Sequence, residues 1–229
     1  MMGQFIHCKA VDLHTIDVYL AEPDIPARAG LIIIQEAFGV NHHIQSLCDA
    51  YAKEGYRVAA PALYDRIQKN VQLDYTRADL EHGMGLMNQL DFSKIFLDIE
   101  AVMNFLRSTD VEKIGMMGFC FGGTVTWRAA HHFNLDAAVC YYGGSIAQYA
   151  HEKPQSPVLL HFGEKDAYIP LKDVENITLK NPDVLYHLYP ADHGFNCDER
   201  GSFDASCAQQ AKERTVDFLK RHLTNTDEG

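Results

Sequence analysis

The stretch from Lys113 to Thr124 constrains the fold of this chain more than any other. An apolar run, Ile114-Gly115-Met116-Met117, stops at Gly118, a cysteine follows two residues later, and Gly122 and Gly123 open a segment that can be helical. Glycines on both sides of a single reactive side chain, between a strand pattern and a helix pattern, predict a sharp strand-to-helix turn whose backbones approach too closely for a Cβ. Such a turn needs a covered, mostly parallel sheet to hold it. The rest of the chain supplies one.

Leu31-Ile32-Ile33-Ile34 is a continuous apolar run rich in β-branched isoleucine, as expected of a strand buried on both faces. Asn41 then caps a helix to about Glu54, with Ile44, Leu47, Cys48 and Tyr51 on one side, and Gly55 ends it. Tyr56–Ala60 is the next strand. Residues 62–92 are less regular and predict a loop with one or two helices. Ser93 caps a predicted amphipathic helix over 93–107. Further strands are predicted over 136–142, 157–162 and 184–189, alternating with helices from about Phe121 to His132, after Pro170, and from Ser206 to His222. The first strands, within 4–21, alternate as an antiparallel edge does. The tail from Thr224 to Gly229 is expected to fray. No segment repeats and no Pro/Ser-rich linker divides the chain, so residues 1–229 are expected to form one α/β domain with a mostly parallel sheet and helices on both faces.

Composition narrows the function. A net charge of −11 argues against nucleic acid and anionic membrane surfaces. No basic stretch followed by an apolar core opens the chain and no apolar run reaches spanning length, so a cytoplasmic, soluble protein is expected. Six scattered cysteines without a C-x-x-C pair read as free thiols. His42-His43 and His131-His132 are adjacent pairs rather than i, i+4 pairs, so no zinc site is expected.

In parallel α/β sheets, sites form at the carboxyl ends of strands. Three such ends carry reactive groups: Glu36, Cys120 and Asp166, with His193 after the last strand. Gly118-Phe119-Cys120-Phe121-Gly122 fits a nucleophile elbow with Cys in place of Ser, and a helix N-terminus favours a thiolate there. Its bland counterpart is a buried cysteine in a Gly-rich turn. A nucleophile needs a base, and the base an orienting acid. Asp166 lies 46 residues after Cys120, and His193 lies 27 after Asp166, each past a strand and in the order nucleophile, acid, histidine. Taken singly, Asp166 is as readily a turn cap and His193 a solvated loop histidine. Asp192 is a weaker acid candidate, because adjacent side chains point apart. Backbone N–H groups of Phe121 and Ala37 are the expected oxyanion donors. Glu36 then falls beside the nucleophile, or is an ion-paired acid at a strand end.

Gly118-Phe119-Cys120-Phe121-Gly122-Gly123, Gln35-Glu36-Ala37-Phe38-Gly39, Ala60-Pro61-Ala62-Leu63-Tyr64 and His193-Gly194-Phe195 together resemble the dienelactone hydrolase (carboxymethylenebutenolidase) family, from about Ile6 to Leu223. The resemblance implies an α/β-hydrolase fold and a Cys120–His193–Asp166 triad. It implies hydrolysis of an ester or enol-lactone through an acyl-cysteine, with no metal or organic cofactor. It also implies that Glu36 pairs with the resting thiol and takes its proton when substrate binds. The best-known members bind the substrate carboxylate with arginines, one in a His-Ser-Phe-x-Arg run; here that position holds Cys197. Arg200 and Arg77 are the arginines left as candidates, with Tyr141 as a further substrate contact. The expected partner is a small-molecule ester or lactone, and the expected assembly a monomer or weak homodimer. A thioesterase or acyl transferase using the same residues, and a non-catalytic binding protein of the same fold, are the alternatives.

Overall fold

A buried strand must satisfy its backbone groups sideways and its side chains above and below, and Ala29–Ile34 does both. All six residues of this strand, β3, are buried in the computed structural model, which describes residues 2–224. The expected fraying tail, beyond Thr224, lies outside the described residues. Each fully buried Leu or Ile here is worth about 1.5–3 kcal/mol relative to exposure, enough to make β3 a core strand rather than an edge. The chain packs as two compact units, divided after Ile114.

In the first unit, β1 (Gln4–Lys9) and β2 (Thr15–Ala21) form an antiparallel hairpin. β2 pairs antiparallel with β4 (Tyr56–Pro61), and β4 pairs parallel with β3, giving the order β1-β2-β4-β3. The connection between β3 and β4 is α1 (His42–Lys53), whose N-cap Asn41 accepts the Ile44 N–H at 3.4 Å. Gly55, at φ 95°, turns the chain out of that helix in a conformation few other residues tolerate. The irregular region holds a 3-10 turn, Leu63–Arg66, and α2 (Arg77–Met87). α3 (Phe92–Arg107) starts one residue earlier than its sequence suggests. Asp91, not Ser93, is the cap: its carboxylate accepts the Ser93 N–H at 2.8 Å, and a charged acceptor suits the positive end of the helix better than a hydroxyl.

The second unit is wholly parallel. β5 (Ile114–Phe119), β6 (Ala137–Tyr141), β7 (Val158–Gly163) and β8 (Leu185–Tyr189) lie in sequence order, with α4 (Phe121–His132) between β5 and β6 and α5 (Leu171–Lys180) between β7 and β8. The last helix, α6 (Ala205–Leu223), packs on β6 and β7. Parallel pairing puts all four carboxyl ends on one edge. Among the described residues, no helix is long and apolar enough to cross a membrane.

Candidate active site

Cys120 is the residue between β5 and α4, and its backbone is strained. Its φ is 53° and ψ −115°, a region that side chains with a Cβ rarely adopt. The neighbouring glycines hold it there. A Cβ on Gly118 would lie 2.1 Å from the Gly122 carbonyl oxygen, and one on Gly123 2.7 Å from the Tyr141 carbonyl oxygen. The Cys120 N–H donates to that Tyr141 carbonyl at 3.0 Å, while the Cys120 carbonyl accepts the Gly123 N–H at 3.0 Å and opens the helix. Alone among the six cysteines, all of which are free thiols, Cys120 is not buried. Phe121 is the first residue of α4, whose N–H points out of the positive end of that helix.

Asp166 follows β7 and His193 follows β8. Both are buried. Gly163 at the end of β7 allows their loops to touch: a Cβ there would sit 2.4 Å from the Ala191 carbonyl oxygen, which accepts the Lys165 N–H at 3.0 Å. The imidazole Nδ1 of His193 lies 2.7 Å from Asp166 Oδ2. The other carboxylate oxygen, Oδ1, accepts the backbone N–H of Tyr168 at 2.8 Å. Cys120 is a neighbour of His193 close enough to act on its charge, and since Nδ1 is taken by Asp166, Nε2 is the nitrogen left to face it. Burial pulls the basicity of His193 down, but the neighbouring Cys120 and the hydrogen bond to the Asp166 carboxylate overcome it and raise the imidazole to about 10. The structure therefore brings Cys120, His193 and Asp166 together inside the second unit, with the imidazole held by the Asp166 carboxylate. Asp192 stays out of it, accepting the N–H of His193 itself at 2.6 Å.

Aromatic rings flank the imidazole. Tyr142, fully buried and at φ 37°, lies 5.1 Å from it between ring centroids, and Tyr168 lies 5.1 Å from it at 70°. Below them runs a buried polar chain. His161 bonds the Tyr189 hydroxyl at 2.8 Å through Nδ1 and Thr215 Oγ1 at 3.0 Å through Nε2, and Thr215 Oγ1 lies 2.7 Å from the Tyr141 hydroxyl. Burial, then the neighbouring His187 and Arg214, push His161 well below the ordinary histidine range, so it stays neutral.

The remaining sequence candidates have separate placements. Tyr141 is in the packed interior, its ring 4.7 Å from Phe119 and 4.4 Å from His161, with its hydroxyl engaged by Thr215. The Arg77 side chain is 92% exposed on α2 and pairs with Glu81 at 3.0 Å. Arg200 lies over Gly194, where a Cβ would meet its guanidinium carbon at 2.5 Å, one residue from His193. In the first unit, Glu36 is fully buried at the end of β3 and its Oε2 accepts the Tyr75 hydroxyl at 3.1 Å. The Ala37 carbonyl accepts the Tyr64 hydroxyl at 2.9 Å, and α2 passes so close that a Cβ on Gly83 would lie 2.1 Å from it. These contacts fix the Glu36-Ala37 turn in place. The aromatic residues around His193 escape a motif search, because neither Tyr142 nor Tyr168 belongs to a chemistry-bearing pattern. The one available signal is that Tyr168 follows the acid loop by two residues.

The profile of the dienelactone hydrolase family matches residues 16–223. The chain belongs to the dienelactone hydrolase family. Among relatives of this family, a Synechocystis protein provisionally named carboxymethylenebutenolidase is 34% identical over 224 residues, covering 90% of this chain and 91% of the relative. The Pseudomonas putida carboxymethylenebutenolidase is 29% identical over 228 residues, covering 96% and 97%. A crystal structure from Klebsiella pneumoniae, provisionally described as a dienelactone hydrolase, superposes with a TM-score of 0.83 at 27% identity over 95% of this chain and 99% of that one. The dienelactone hydrolases have the α/β-hydrolase fold with a mostly parallel sheet, and this chain shares it. Membership also makes it a carboxylic ester hydrolase.

Proposed function

We propose that this dienelactone hydrolase cleaves an ester or enol-lactone through an acyl-cysteine, with both units working as one hydrolase domain. The observation that carries the mechanism is His193, held through Nδ1 by Asp166 at 2.7 Å and neighbouring Cys120 with its other nitrogen free to face it. Cys120 Sγ attacks the carbonyl carbon. The tetrahedral oxyanion is met by the N–H of Phe121. As it collapses, the C–O bond breaks and His193 Nε2 gives its proton to the leaving oxygen. Water then attacks the thioester, loses a proton to His193, and releases the acid and the Cys120 thiolate. Asp166 keeps the Nδ1 proton in place throughout.

For the first unit the proposal draws on the family resemblance: the Ala37 N–H as second oxyanion donor, and Glu36 as the acceptor of the resting thiol's proton. Arg200 is the proposed contact for a substrate carboxylate, supported by its position over Gly194. The Pseudomonas putida relative is named for an enol-lactone, carboxymethylenebutenolide. With Cys197 at the position of the usual arginine, a differently shaped ester or lactone is the expected substrate here. The test is turnover of p-nitrophenyl acetate by wild type, Cys120→Ala and His193→Ala. Both variants are expected to lose hydrolysis, with wild type showing a burst of p-nitrophenol as the acyl-enzyme forms. Unchanged turnover in both variants would overturn the mechanism.

A further inference from the structure

His193 is held between two tyrosines that differ in one respect: Tyr142 is fully buried, whereas Tyr168 is 67% exposed. An exposed aromatic ring is common by itself. This one is held in place. Its backbone N–H is bound by Asp166 Oδ1 at 2.8 Å, the next residue, Ile169, is buried and donates its N–H to the Asp166 carbonyl at 3.3 Å, and Pro170 immediately precedes α5. The ring therefore stands on a short turn fixed to the catalytic acid, with its outer side open to solvent and its inner side against the imidazole.

The chemistry says what must come next to it. Whatever the ester, the leaving oxygen has to reach His193 Nε2 to take the proton as its C–O bond breaks. Nδ1 is occupied by Asp166, so the leaving group has only one end of the imidazole to approach. The group attached to the leaving oxygen then lies beside the ring that flanks the imidazole on the open side. We infer that Tyr168 forms the leaving-group subsite of this enzyme, and that it favours esters whose alcohol part is aromatic or a planar conjugated system. This rests on the acyl-cysteine route proposed above. An aromatic leaving group covers the exposed face of Tyr168 in the transition state, and aromatic pairs gain more than their buried area alone provides. The acyl part, bonded to Sγ, is on the other side of the reacting carbon and does not share this contact.

The test compares benzyl acetate with ethyl acetate. Both form the same acetyl-enzyme, and both release an alkyl alcohol, so they differ chiefly in what lies beside the leaving oxygen. Tyr168→Ala keeps the backbone N–H that Asp166 accepts. It is expected to lower the ratio of kcat/KM for benzyl acetate over that for ethyl acetate about 3- to 10-fold. Tyr168→Phe, which keeps the ring, is expected to match wild type on both. Equal losses on the two esters, or no loss on either, would overturn the subsite. So would a Phe variant as impaired as the Ala variant, since the hydroxyl rather than the ring would then be the contact. Cys120→Ala separates the two proposals. Benzyl acetate hydrolysis that survives in Cys120→Ala, with its selectivity still moved by Tyr168→Ala, sinks the acyl-cysteine route and leaves the subsite standing. Hydrolysis lost in Cys120→Ala, with a selectivity that Tyr168→Ala does not move, does the reverse.

Discussion

Replacing Asp166 by Asn isolates what the buried carboxylate does. Both of its oxygens are acceptors in use: Oδ2 for His193 Nδ1 at 2.7 Å and Oδ1 for the Tyr168 N–H at 2.8 Å. Asparagine offers only one acceptor oxygen. The Tyr168 N–H is fixed by the turn and can only donate, so the amide oxygen must stay with it. The amide NH2 then faces His193 Nδ1 and forces that nitrogen to accept. The neutral imidazole therefore carries its proton on Nε2, facing Cys120, and cannot take one from the water that attacks the thioester. Losing a charge-assisted hydrogen bond alone costs about 1.5–3 kcal/mol, or roughly 10- to 150-fold. Inverting the tautomer of a catalytic histidine costs about 10⁴ in kcat where it has been isolated. Asp166→Asn is thus expected to lower kcat by about 10² to 10⁴. Asp166→Ala should be less impaired, because it removes the carboxylate without imposing the wrong tautomer and opens space for water at Nδ1. The assay is p-nitrophenyl acetate turnover for both variants, with thermal melting to check folding. An Asn variant within tenfold of wild type, or faster than the Ala variant, would refute the role given to Asp166.

Three further outcomes are expected. Gly118→Ala places a Cβ 2.1 Å from the Gly122 carbonyl, which belongs to the helix that opens after Cys120, so a loss of about 3 kcal/mol or no folded protein is expected by urea unfolding. The two buried histidines act in opposite directions on stability. His193, raised to about 10, contributes stability that is fully present below its ordinary value of 6.5 and is lost as pH rises towards 10. His161, pushed well below 6.5, costs stability as pH falls beneath that value, because the unfolded chain then binds the proton first. Melting temperatures measured from pH 5 to 10 should therefore fall on both sides, and His161→Gln should flatten the acid side. Finally, if Glu36 guards the resting thiol, Glu36→Gln should be alkylated by iodoacetamide faster than wild type. Equal rates, both typical of a free thiolate, would remove that role from Glu36.

Much of the second unit is legible in the sequence because its constraints are local. Gly118 precedes Cys120 for a steric reason that acts within five residues, its position lying against the Gly122 carbonyl, and Asp166 and His193 follow strands whose apolar runs announce their own ends. In a parallel sheet, strand order and chain direction place those ends on one edge without knowledge of any side-chain contact. The start of α3 is less readable, since Asp91 and Ser93 are both good caps and the choice depends on which backbone N–H each can reach.

What escapes the sequence is the direction in which aromatic side chains point. Tyr141 and Tyr142 are adjacent and identical in type, and sequence alone favours the first as a substrate contact. The structure separates them. Tyr141 lies in regular strand, so its side chain projects from the sheet into the packing of Phe119, His161 and α6. Tyr142 follows the strand's end at φ 37°, which breaks the two-residue alternation and brings its ring against His193. Tyr168 presents the same difficulty in a turn, where no periodicity assigns a face. Its position comes from hydrogen bonds made by Asp166, the residue proposed above as the acid of the triad. The two carboxylate oxygens thus serve separate tasks, one setting the proton on the imidazole and the other holding the loop whose ring stands beside it. That division makes the Asp166 and Tyr168 substitutions independent tests: Asp166→Asn should slow every ester alike, and Tyr168→Ala should change only the preference among them.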